Sequence, residues 1–276
     1  MKTSSAVLAM LAVPYAMACP RRMSSGTNAS TTASAASIAT SIAQPTTASA
    51  ITSVETSTAA ATSVSTGALP VVPVAGSTAV TGKSTFYGGN LNGGTCSFST
   101  YTLPSGIYGT AFSGSAWNSA ANCGACLQVT SPTGNKITAM IVDQCPECDA
   151  GHLDLFPDAF KALDPTANGV MSTSYTFVDC PISSPLILHN KLGTSPYWFS
   201  MQVVNANEPV TKLEVSTNGG STWQSTTRKD YNFFENPSGF GTSTVAVRVT
   251  SKSGSTVVVK NVSVASDSKV TAGSNF

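Results

Sequence analysis

Hydrophobic and polar positions divide the chain into three textures. Lys2 is followed by an apolar run from Ala6 to Ala18 that closes on the small-x-small triplet Ala16-Met17-Ala18. That is the arrangement of a secretory signal peptide, and the run falls short of the roughly 20 apolar residues of a membrane span. From Met23 to Gly82, Ser, Thr and Ala dominate, Glu55 is the only charge, and Cys, Trp, Tyr and Phe are absent. Such a stretch buries too little to fold and reads as a disordered stalk, stiffened locally by Pro45, Pro70 and Pro73 and O-glycosylated in a secreted chain. After Gly82 the texture changes to short β-rich runs punctuated by Gly, Asn, Ser and Pro.

Within this third texture, Lys136-Ile-Thr-Ala-Met-Ile-Val-Asp143 and Ser174–Val178 predict strands of a mostly buried barrel. Pro157–Leu163 predicts one short helix, with Pro157 in the first turn and Phe160 and Leu163 spaced i, i+3. Beyond Cys180-Pro181, strands are predicted over Trp198–Val204, Thr211–Val215, Thr242–Val249 and Thr256–Val264. In the third of these, Val245, Val247 and Val249 alternate with Ala246, Arg248 and Thr250, which suits an antiparallel sheet with one wet face and so a small β-sandwich. The fold class is therefore mainly all-β, and four segments are expected: a signal peptide over 1–18, the stalk over 19–81, a barrel over 82–184 and a sandwich over 185–276. Arg21-Arg22 is a candidate processing site that would remove Cys19.

Charged residues make up only 10% of the chain and the formal net charge is +1. This balance argues against a nucleic-acid binder with a basic phosphate-tracking surface, and a neutral ligand fits better. Residues 82–184 hold three Lys against seven Asp/Glu, a net −4, and residues 185–276 hold eight Lys/Arg against five, a net +3. The two halves are expected to do different work.

Cys123-x-x-Cys126 and, eighteen residues on, Cys145-x-x-Cys148 have the spacing of a four-thiolate zinc site. The secretory leader decides otherwise, because an oxidising compartment favours disulfides, and Cys96 and Cys180 complete an even set of six. Six cysteines allow 15 pairings, among which the spacing does not choose. No metal and no cofactor are expected.

Four motifs in order carry a resemblance. They are Gly82-Lys-Ser-Thr85-Phe-Tyr87-Gly88, Cys123-Gly-Ala-Cys126, Val142-Asp143-Gln-Cys145-Pro146, and Gly151-His152-Leu153-Asp154-Leu155-Phe156-Pro157-Asp158-Ala159-Phe160. Together they resemble the expansin-like cell-wall-loosening proteins of microbes. The resemblance implies a six-stranded double-psi β-barrel shared with family 45 glycoside hydrolases, and the pairs Cys96–Cys123, Cys126–Cys180 and Cys145–Cys148. It sets Asp154 where those hydrolases carry their general acid, with Leu153, Leu155 and Phe156 as a desolvating flank. The hydrolase motif Thr-x-Tyr-Trp-Asp would put its base at Gly89, which takes no proton. Hydrolysis needs both carboxylates. The resemblance also implies a hydrogen bond from Asp143 to Thr85 and a groove role for Tyr87. Asp143 is otherwise a substitute base or a turn cap, and His152 a candidate groove residue. Cys145 replaces a groove tyrosine of bacterial expansins.

Lys191–Val203 and Lys229–Phe234 are similar to the family's carbohydrate-binding domain, which implies an aromatic platform of Tyr197, Trp198 and Tyr231 edged by Lys191. Aromatic faces suit the apolar C–H faces of pyranose rings. Neighbours on a regular strand point to opposite faces, so Tyr197 and Trp198 share a platform only if the strand starts irregularly, as Pro196 allows. Trp198 is otherwise core, and Trp223 and Phe234 are expected to pack. The expectation is a secreted, monomeric, non-hydrolytic loosener that binds cellulose or a related glycan and neither nucleic acid nor membrane. The alternatives are a weak hydrolase or lytic transglycosylase working through Asp154, and a lectin with an inert barrel.

Overall fold

The computed structural model describes residues 77–276. The expected signal segment, Cys19 and the stalk up to residue 76 lie outside the described residues. Six strands close into a barrel: β1 (Val80–Phe86), β2 (Ile107–Ser113), β3 (Cys126–Thr130), β4 (Lys136–Cys145), β5 (Leu153–Leu155) and β6 (Met171–Val178). Around the barrel they run β1-β5-β2-β4-β3-β6 and return to β1. β1 pairs parallel with β5, and β2 with β4, while the remaining neighbours are antiparallel. β1 takes in Val80 and Thr81 from the end of the stretch assigned to the stalk, because both pair with β6. The apolar run in β4 is buried from Ile137 to Val142, as an interior strand requires. Helix α1 (Pro157–Leu163) buries Ala159, Phe160 and Leu163 against the barrel.

The pairs Cys96–Cys123, Cys126–Cys180 and Cys145–Cys148 are all formed. Among the described residues no cluster of three or more His, Cys, Asp or Glu could hold a metal ion. No described helix is long and apolar enough to cross a membrane.

The second part is a sandwich of two antiparallel sheets. One contains β7 (Ile187–Asn190), β8 (Phe199–Val204), β11 (Thr227–Arg228), β12 (Phe234–Asn236) and β15 (Lys269–Thr271). The other contains β9 (Val210–Ser216), β10 (Gln224–Ser225), β13 (Thr244–Ser251) and β14 (Thr256–Ser263). Val245, Val247 and Val249 enter the core with Phe199, Met201 and Phe234. The opposite face of β13 is less wet than its alternation suggests: Ala246 is buried, and Arg248 is bonded to Glu214 and lies 4.5 Å from the Trp223 ring centroid. Trp223 thus packs outside the sandwich, half-buried, whereas Phe234 packs inside it.

Barrel and sandwich meet along a polar seam. The Cys96 carbonyl accepts hydrogen bonds from Gln202 Nε2 at 2.8 Å and Asn232 Nδ2 at 3.3 Å. Trp117 Nε1 donates to the Asp230 carbonyl at 3.1 Å, and Tyr101 donates to Asn205 Oδ1 at 2.9 Å. Arg228 sits in this seam. It donates to the Val210 carbonyl at 2.6 Å, to Asn232 Oδ1 at 2.6 Å and, across the seam, to the Ala121 carbonyl at 3.4 Å. Burial pushes its pKa down to about 10. Arg228→Ala would strand the Val210 and Asn232 acceptors, and a loss of about 1–3 kcal/mol is expected. Urea denaturation should show a lower midpoint at an unchanged slope, with no rescue by Arg228→Lys, since a single ammonium does not span the acceptors that the guanidinium fork reaches.

Candidate functional site

The candidate site on the barrel is one row of residues that strand register brings side by side. Thr85 on β1 pairs with Asp154 on β5, Asp154 with Ala111 on β2, and Ala111 with Asp143 on β4. Side chains alternate along a strand, so Leu153 and Leu155, both fully buried, turn inward and send Asp154 outward. The expected desolvating role of these two leucines is therefore corrected: they belong to the barrel core, and Asp154 faces the other way, where Thr85 bonds to it.

Thr85 Oγ1 donates to Asp154 Oδ1 at 2.5 Å. The expected bond between Asp143 and Thr85 is absent, because Asp143 lies two strands beyond Asp154 around the barrel, about 10 Å by strand spacing. Asp143 instead accepts the amides of Thr95 at 2.6 Å and Gln144 at 2.8 Å on Oδ1, and the Tyr87 hydroxyl at 3.2 Å on Oδ2. The Tyr87 ring packs over Ala111 and the Cys145–Cys148 bridge. Burial, and then the carboxylates of Asp143 and Asp154, hold its phenol well above the usual tyrosine range. Cys145 thus lies beneath Tyr87.

His152, the candidate groove histidine, has its Nε2 2.9 Å from Thr85 Oγ1. The Thr85 hydroxyl has one hydrogen, which goes to Asp154, so Thr85 accepts from a protonated Nε2 of His152. His152 directly precedes β5, two residues before Asp154, and its partner depends on β1 lying alongside. Gly89 is enclosed. A Cβ there would stand 2.7 Å from the Phe156 ring and would also run into Tyr87, so aromatic rings fill the space that a carboxylate side chain would enter.

The second candidate surface is on the sandwich. Ser195 and Trp198 exchange backbone hydrogen bonds, which makes Pro196-Tyr197 the centre of a tight turn, and β8 starts only at Phe199. The predicted strand at Trp198 is therefore one residue too long. The start of the strand removes the objection from alternation: Tyr197 is 80% exposed at the turn tip, and Trp198 is half-buried and not core. The amides of Phe240 and Gly241 clamp the turn through the Pro196 carbonyl. Tyr231, 38% exposed, donates to Glu235 Oε1 at 2.7 Å, and Lys191 Nζ lies 5.9 Å from its ring centroid. Burial and the Glu235 carboxylate raise the Tyr231 phenol to about 12. Glu235 is 5% exposed and also accepts from Ser200 at 3.0 Å. Nothing in the sequence marks it as the support of Tyr231, since that contact depends on the loop between them.

Residues 102–180 match the Barwin family. The chain is 31% identical to expansin-like protein 5 of Dictyostelium discoideum over 72% of this chain and 86% of that protein. It is 32% identical to expansin YoaJ of Bacillus subtilis over 64% and 75%. The crystal structure of the apo expansin of Clavibacter michiganensis superposes with a TM-score of 0.64 at 31% identity, covering 72% of this chain and 98% of that one. A point mutant of that expansin, in complex with cellohexaose, matches with the same figures.

Burial, reinforced by Lys83 and opposed by Asp154, Asp149 and Glu147, lowers the pKa of His152. The folded protein therefore binds fewer protons there than the unfolded chain. The associated stability is present above the ordinary value of about 6.5 and is lost as pH falls through the lower folded value. Melting temperature is expected to fall below about pH 6.5, with a shallower fall in His152→Gln, as thermal scans across pH would show.

Proposed function

The chain belongs to the expansin family, and from that premise we propose that it is secreted and loosens plant-type wall polysaccharide without hydrolysing it. The observation that carries this reading is that a side chain at Gly89 would collide with the Tyr87 and Phe156 rings. An inverting glycosidase needs an acid and a base across the sugar ring. Asp154, bonded to Thr85, supplies one carboxylate. The other candidate, Asp143, already accepts three hydrogen bonds, the Tyr87 hydroxyl among them, which leaves it poorly placed to activate water.

On this reading, residues 82–184 form the loosening domain behind the proposed signal segment and stalk. Asp154 and Thr85 present a hydrogen-bonding pair to sugar hydroxyls and compete with the contacts between glycan chains. Residues 185–276 hold the polymer through Tyr197, Trp198 and Tyr231, with Lys191 at the edge. The cellohexaose complex of the Clavibacter relative supports a β-linked glucan as ligand class. A lytic transglycosylase-like reaction through Asp154 alone is the competing chemistry, and product analysis separates the two.

Cellulosic strips should extend under load without steady release of reducing or anhydro sugars, and Asp154→Asn should abolish extension while leaving binding unchanged. Protein-proportional sugar release would sink the proposal. Gly89→Asp should lower the melting temperature and create no hydrolase.

Trp198→Ala should weaken binding to insoluble cellulose by about 1–3 kcal/mol, by analogy with the loss of a stacking aromatic. Melting temperature should be nearly unchanged for so peripheral a ring, and pull-down and thermal scans on the same sample test both.

A further inference from the structure

One ring beside the groove is positioned at the expense of several local preferences. Phe156 follows Asp154 by two residues on the same face, about 7 Å further along the strand direction. It occupies the N-cap position of α1, where Ser, Thr, Asp or Asn would supply a capping oxygen, and its side chain makes no cap. Two glycines accommodate it. A Cβ at Gly109 would stand 2.6 Å from Cζ of the ring and one at Gly89 2.7 Å from Cε1, so the ring lies across both positions and either alanine would push it aside. Even so, Phe156 is left half-buried, with Tyr87 edge-on at 5.8 Å.

A cavity of about 580 Å³ opens beside it, lined by Leu91, Tyr101, Leu103, Phe156, Asn90 and Asp158. This volume falls within the roughly 300–1,000 Å³ of small-ligand sites, and the apolar wall with a few polar groups at its margin matches their usual chemistry.

We infer that Phe156 and this cavity form a sugar subsite next to Asp154, in which the aromatic ring stacks on a neutral pyranose of a β-linked glucan and Asn90 and Asp158 meet its hydroxyls. The inference rests on the groove being the polysaccharide site proposed above. Local rules of capping and side-chain size give way at Phe156, Gly89 and Gly109, as they do at functional positions.

The test measures cellohexaose affinity by calorimetry in the full folded chain carrying Trp198→Ala, so that the groove and not the platform dominates. Adding Phe156→Ser, which restores a capping hydroxyl, or Phe156→Leu, which keeps apolar bulk without a π-face, should weaken binding about tenfold or more, and Phe156→Tyr should not. If Phe156→Ser fails to fold by thermal scan, Phe156→Leu decides. Equal affinity in folded Phe156→Leu overturns the inference, as does the absence of measurable binding in Trp198→Ala alone. If the unaltered protein does not bind cellohexaose, the proposed function falls with it. If the unaltered protein binds and only the Phe156 variants behave as their parent, the subsite alone falls.

Discussion

The candidate site on the barrel hangs on the alternation of a three-residue strand. Leu153 and Leu155 are fully buried between β1 and β2, and the period of two then leaves Asp154 no direction but outward. Because β5 is hydrogen-bonded on both sides, its register also decides what stands next to the carboxylate: Thr85 on one neighbour and Ala111 on the other. A one-residue slip would bury the aspartate and expose two leucines, so core packing specifies the groove row as strongly as it specifies the barrel.

The same row explains why one aspartate is available and the other is not. Small Ala111 leaves room for the Tyr87 ring, which reaches across it to Asp143 and rests on the Cys145–Cys148 bridge. Asp143 then ties the Thr95 amide to the groove, and the next residue, Cys96, offers its carbonyl to Gln202 and Asn232 of the sandwich. Asn232 follows Tyr231 directly and is held in turn by Arg228. A continuous set of short contacts therefore runs from Asp143 of the barrel to the loop that carries Tyr231 of the sandwich.

What the sequence by itself determined was local. The strand character of Lys136–Asp143, the helix from Pro157 to Leu163 and the valine alternation of β13 follow from neighbours a few residues apart, and all three appear in the fold. The residue types at the site were legible for the same reason: Asp154 and Thr85 stand in motifs of contiguous residues, and the missing carboxylate at Gly89 needs only its spacing from Thr85.

Only the tertiary structure decided which distant segments meet. Barrel closure gave Thr85 to Asp154, 69 residues away, and not to Asp143. It also placed His152 on the same hydroxyl and packed two rings into the space at Gly89. On the sandwich, the turn at Pro196-Tyr197 let two adjacent aromatics escape alternation, and a buried Glu235 took up the Tyr231 hydroxyl. The physical reason is the same throughout. Periodicity is set by the chain's own geometry and survives in any linear stretch, whereas hydrogen-bond partners and filled space depend on register between strands that the sequence places far apart.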